Sequence, residues 1–182
     1  TKPIIDNSDP FAALAFRFFF VAVGFLLFSI YSNYSIIIKR KNLIESVLSG
    51  VLFHGLYLGG VFYSISIGMP TSIAALIVTL QPILTNILSG PILNEKVTLK
   101  QWIGVLLGFL GATLVLGLDL GSKIPLLGLV ATLIALISIT ASTIWQKKLS
   151  NNLPLSVSNF YQAVGGCFFH ILVVIFFAKP YI

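Results

Sequence analysis

The sequence has little charge and almost no sulfur. Only 9% of its residues are charged, against about 25% in an ordinary soluble domain. One cysteine, Cys167, excludes an internal disulfide and any Cys-rich metal or iron–sulfur site. No Gly-rich loop with a following Lys-Ser/Thr is present, so the chain carries no phosphate-cradling loop for ATP hydrolysis. His54 and His170 stand in different apolar runs, without the spacing of a His-Glu-x-x-His metal site. No acid/base pair lies within an apolar run, which disfavours a membrane-embedded enzyme. No catalytic residue, metal or cofactor is therefore expected.

What is abundant is apolar. Of 182 residues, 57% are hydrophobic, and the mean hydropathy is +1.03. That composition places the chain in a bilayer. The net charge of +6 rests on only eleven Lys and Arg. Their positions follow membrane topology, so no nucleic-acid partner is expected.

A hydrocarbon core about 30 Å thick takes roughly 20 helical residues to cross. Six apolar runs of about that length are present, at roughly 10–31, 46–68, 71–92, 100–118, 124–146 and 156–178. None alternates as a barrel strand would, and backbone groups in lipid must be satisfied within the segment, so each run reads as a helix. The connections at Lys39–Glu45, Asn94–Lys100 and Gln146–Leu153 share one side. That side holds Lys39, Arg40, Lys41, Lys96, Lys100, Lys147 and Lys148. Lys2, Lys123 and Lys179 lie on the other, with Asp6, Asp9 and Asp119. The bias predicts that the first set is cytoplasmic, in a multi-pass protein of the bacterial inner membrane.

Two segments are weakly alike. Pro10 matches Pro154 and Phe16 matches Phe160, both at an offset of 144. They enter from opposite sides, as an inverted repeat requires. A further set of features runs in order: Tyr57 to Gly68, then Ser72 to Pro82, Leu93-Asn94-Glu95-Lys96, Gln101-Trp102-Ile103-Gly104, and Gly111 to Leu116. With Asp9-Pro10 and Arg17, these resemble the EamA-like branch of the drug/metabolite transporter superfamily. The resemblance implies an all-α membrane protein of ten helices in two inverted five-helix repeats. This chain then supplies six of them: residues 1–118 hold helices two to five of the first repeat, and 119–182 hold helices six and seven, which open the second. The chain begins at Thr1 and its only methionine is Met69, so it is read as part of a parent of roughly 290 residues.

Function follows from that reading. A secondary transporter of small metabolites or drugs is expected, driven by an ion gradient or by exchange, with protons or a counter-substrate as partners. The alternative is a non-transporting membrane scaffold or inactive transporter fragment, favoured by the scarcity of charge within the spans. Arg17 is the one charge well inside a span. It admits three readings: snorkelling to the surface, facing a cavity near an anionic group, or pairing with a buried carboxylate.

Three polar stripes suggest a substrate cavity: Asn159, Gln162 and Gly166; His54, Tyr57 and Ser64; and Ser138, Ser142 and Trp145. Gln81 precedes Pro82, which frees a backbone carbonyl at mid-helix. Tyr63 and Trp145 are candidate stacking partners. Glu95 and Pro82 are gate or structural candidates. Gly104, Gly108 and Gly111 form a small-residue face for helix packing, inside one chain or across a homodimer.

The orientation is open to a direct check. In a Cys167→Ala background, a cysteine at position 119 should react with an impermeant reagent applied outside, and one at position 40 should not.

Overall fold

The computed structural model describes residues 10–93, 97–116, 124–150 and 153–177. Asp9, Asn94, Glu95, Lys96 and Asp119 lie outside them. The described residues form six principal helices: α1 (Pro10–Tyr31), α2 (Arg40–Ser66), α3 (Thr71–Leu93), α4 (Leu99–Leu116), α5 (Leu126–Ser150) and α6 (Leu155–Phe177). Five are long and apolar enough to cross a membrane, and α4 is a shorter apolar helix. The chain is an all-α, multi-pass membrane protein.

Two helix ends extend past the expected apolar limits. α2 begins at Arg40, so the segment read as a Lys39–Glu45 connection is already helical. Lys41 and Glu45, at i and i+4, meet at 4.0 Å, a weak pair on an interfacial turn. α5 likewise continues through Lys147 and Lys148, where cations suit the negative end of a helix. The turns between crossings are tight. Gly68 takes φ +96° and closes α2, a conformation that suits a residue without Cβ.

α6 is packed against α1 on one side and α2 on the other. α5 packs across α2 and also holds α3. α4 leans mainly on α3. The tightest contact is between α2 and α6. A Cβ at Gly50 would run into the Gln162 backbone, and one at Gly166 would run into His54. A Cβ at Gly55 would lie 2.7 Å from the Phe169 ring, and one at Gly165 would lie 2.5 Å from the Val47 carbonyl. Four glycines from two helices thus let two backbones touch. In lipid this close packing, and not an apolar driving force, holds helices together.

α2 and α3 both depart from regular winding. Residues Val51–Tyr57 of α2 form a seven-residue π-helix, a rare form that occurs mostly as single turns inside α-helices. α3 is two segments, Thr71–Val78 and Gln81–Leu93. The break falls where Pro82 has no N–H to offer the carbonyl four residues earlier.

The seam predicts a contrast between glycines. Gly50→Ala should destabilise the detergent-solubilised protein by about 1–3 kcal/mol, the cost of overpacking a tight contact. Gly104→Ala, with nothing within 4 Å of its Cβ position, should leave thermal stability unchanged.

Candidate functional site

A cavity lies beside α3, between α4 and α5. It has a volume of about 740 Å³. Tyr57 of α2 and Gln81, Pro82 and Asn86 of α3 face it, with Gln101 and Gly104 of α4. A smaller cavity of about 140 Å³ adjoins it through Asn86 and Gln101 and ends at Lys147. Among the described residues no carboxylate lines either one. The surface on offer is amide, hydroxyl and apolar, with Lys147 at the end of the smaller cavity.

Local structure presents these groups. The break before Gln81 starts a new helical segment there. Gln81 Nε2 donates to Thr143 Oγ1 of α5 at 3.1 Å. Thr143 Oγ1 in turn donates to Ile139 O, and Thr85 Oγ1 donates to Gln81 O at 2.8 Å. One turn on, Asn86 Nδ2 is buried and has no hydrogen-bond partner among the described residues. Leaving a buried amide unpaired costs about 1–3 kcal/mol; Ser29, Ser46, His54, Ser156 and His170 carry buried atoms in the same condition elsewhere in the bundle. On α4, Gln101 Oε1 accepts from Thr98 N at 2.8 Å and from Thr98 Oγ1. This cap starts the helix and fixes Gln101 at the cavity edge.

The structure brings some of the expected residues together and separates others. Tyr57, Gln81 and Pro82 share the main cavity. Gly104 and Gly108 form its wall, and none of the Gly104, Gly108 and Gly111 Cβ positions has a neighbour within 4 Å. Among the described residues these glycines widen the space and pack no second helix. Glu95 lies outside the described residues.

The three polar stripes do not form one cavity. The π-turn breaks the regular spacing of His54, Tyr57 and Ser64. His54 packs on Phe18, ring centroids 4.4 Å apart, and its carbonyl O accepts from His170 Nε2 at 2.8 Å. Tyr57 turns instead to the cavity, and the buried Ser64 hydroxyl donates to Val61 O. Gln162 is buried in the bundle, accepting from Gln146 Nε2 at 2.7 Å and donating to Ser158 Oγ. Asn159 lines a separate space between α1 and α6, beside Phe25 and Ser156. Ser142 fastens α5 to α2 through Ser49 Oγ and Ser49 O, both at 3.0 Å. Trp145 faces a different groove, with Glu45 and Lys148. Tyr63 is exposed.

Arg17 is exposed on α1, its Cζ 5.8 Å from the Phe18 ring. It lines none of the cavities described above, so it does not meet Gln81, Asn159 and Gln162 in one place.

Thr85, Asn86, Gln101 and Thr143 are cavity residues that the sequence reading did not single out. A signal existed for part of this set: Gln81, Thr85 and Ser89 recur at i, i+4 and i+8 on α3. Gln101 stood inside a recognised motif but carried no assigned role.

Comparison with known proteins shows the family. The model of the EamA-like transporter family matches residues 1–117. Two proteins of Bacillus subtilis (strain 168) are similar to the chain. Uncharacterized transporter YvbV is 25% identical over 148 residues, covering 77% of this chain and 47% of that protein. Uncharacterized transporter YyaM is 27% identical over 194 residues, covering 98% of this chain and 60% of that protein. The chain thus spans about half to three-fifths of the length of these relatives. No solved structure matches it significantly.

The cavity can be tested for water. In a Cys167→Ala background, a cysteine at position 86 should react with a small hydrophilic thiol reagent. Adding Gly108→Leu, which puts a side chain into open space, should slow that reaction by about tenfold or more.

Proposed function

The chain belongs to the EamA-like transporter family, and from that premise we propose that the intact protein is a secondary transporter of small polar or amphipathic metabolites or drugs. The observation that carries this reading is the 740 Å³ cavity at membrane depth, into which Asn86 brings an unsatisfied buried amide. A ligand with a carbonyl, carboxylate or hydroxyl oxygen satisfies that donor. Gln81, Gln101 and Tyr57 offer further polar contacts around it, and the apolar wall of Val78, Val105 and Phe109 suits a carbon skeleton. Such a site accepts by shape and hydrogen bonding.

Two inverted repeats are part of the proposal. Residues 1–118 belong to the first and residues 119–182 open the second, and the α2–α6 seam joins a helix of each. The cavity lies on the periphery of the described helices, where further helices of a longer chain complete its wall. Movement of one repeat against the other then exposes the cavity to each side in turn, with an ion gradient or exchange as the driving force. The inner membrane is the proposed location, supported by the bacterial origin of the similar proteins.

The test is flux in proteoliposomes containing the full-length protein, across a panel of amino acids, nucleobases and drugs, with and without a proton gradient. Asn86→Ala and Gln81→Ala should each lower flux about threefold to tenfold, as expected for one lost hydrogen bond of about 0.5–1.5 kcal/mol, at unchanged membrane abundance. Arg17→Gln should leave flux unchanged. Absence of flux for the whole panel would favour the scaffold reading.

A further inference from the structure

Neighbouring hydroxyls decide which way the Gln81 side-chain amide is turned. Its Nε2 donates to Thr143 Oγ1 at 3.1 Å and lies 3.5 Å from Thr85 Oγ1. A hydroxyl has one hydrogen to give. Thr143 spends it on Ile139 O and Thr85 spends it on Gln81 O, both at 2.8 Å. Each threonine therefore offers the amide a lone pair. Turned over, the amide would bring Oε1 against those lone pairs or take a hydroxyl off its carbonyl. The hydrogen-bond network thus assigns the amide, as such networks do: nitrogen towards the threonines, Oε1 away from them.

The lining of the two cavities shows where Oε1 is left. Thr85 and Thr143 line the smaller cavity, and Gln81 lines the larger. Gln81 Oε1 has no donor among the described residues and is not one of their buried unpaired atoms, so it is open to the larger cavity. Gln101 is fixed in the opposite sense. Its Oε1 accepts from Thr98 N at 2.8 Å, and a backbone N–H can only donate. Nε2 is then the end that Gln101 offers to the cavity. Gln81 stands twelve residues before the end of α3, and Gln101 two residues after the start of α4. The cavity therefore has a fixed acceptor at depth and a fixed donor near the helix ends.

We propose that Gln81 Oε1 selects ligands that bring it an uncharged N–H, as an amide, a lactam or a nucleobase does, and that Thr143 is the positioning residue that holds it in that sense. The inference rests on the reading of this cavity as a ligand site and narrows what the site accepts. A ligand N–H meets an acceptor already in place. An N-methyl group there meets an oxygen that it cannot satisfy, and the bound site then holds an unpaired acceptor. A ligand long enough to reach Gln101 places a carbonyl there.

Two probes isolate the donor: δ-valerolactam and its N-methyl derivative share ring and carbonyl and differ at the N–H. The full-length protein in lipid nanodiscs carries Cys167→Ala and Gly108→Cys, which puts a thiol in the cavity wall. The readout is the concentration of each lactam that halves the labelling rate at position 108. δ-Valerolactam should do so at a concentration about threefold to tenfold lower, the advantage of one hydrogen bond. Thr143→Val keeps the shape and removes the oxygen, so the preference should fall to within about twofold. Thr143→Ser should restore it. A merely structural threonine would instead weaken protection by both lactams alike. Equal protection by the two lactams in the wild type, absence of protection by either, or a preference that survives Thr143→Val would each overturn the proposal. Lactam preference without flux across the transport panel would sink the transport reading and keep this one; flux without lactam preference would do the reverse.

Discussion

Two backbones touch where α2 meets α6, and the other helices are arranged around that contact. Gly50 and Gly55 on α2, with Gly165 and Gly166 on α6, remove the side chains that would hold the helices apart. A bilayer gives apolar side chains no reason to leave lipid for protein, so shape and hydrogen bonding must supply the attraction. Near the seam the Ser142 and Ser49 hydroxyls pair across α5 and α2. The amides are paired as well, as with Gln146, Gln162 and Ser158. The π-turn belongs to the same economy: it brings the His54 carbonyl to His170 Nε2 and the His54 side chain against Gly166. Other buried atoms at the seam, Ser46 Oγ, His54 Nδ1 and His170 Nδ1, have no hydrogen-bond partner among the described residues.

Packing is looser at the edge of the bundle. α3 is broken, α4 is short and attached mainly to α3, and small residues face open space. Asn86 Nδ2 is the buried side-chain atom in this region that has no hydrogen-bond partner among the described residues. A transporter needs both regimes. A dry, tightly interlocked element gives a body that moves as a unit, and a loosely held, amide-lined element gives a surface where ligand replaces water.

Much of the fold was legible in the sequence because it depends on composition over long windows. Six helices follow from six apolar runs, and the ordered run from Tyr57 to Leu116 carried the family resemblance. The candidate site was legible only in part. Tyr57, Gln81 and Pro82 were found because a proline and an amide at mid-span are conspicuous. Asn159 and Gln162 are just as conspicuous, yet they lie away from the cavity, because helical spacing says which residues share a face and not what that face meets. His54 and Tyr57 were placed on one face by regular winding, which the π-turn does not obey. Gly104 and Gly108 were read as a packing motif; the same absence of side chains also serves to make room, and only the neighbouring helix decides between the two.

The contrast between a dry seam and a wet α3 is the centre of this account. Hydrogen–deuterium exchange of the full-length protein in lipid nanodiscs measures it directly. Backbone amides from Thr79 to Asn86 should exchange at least tenfold faster than those around Gly50, Gly55 and Gly165, because a broken helix beside an aqueous cavity opens more readily than a glycine seam. Equal protection of the two regions, or faster exchange at the seam, would contradict it.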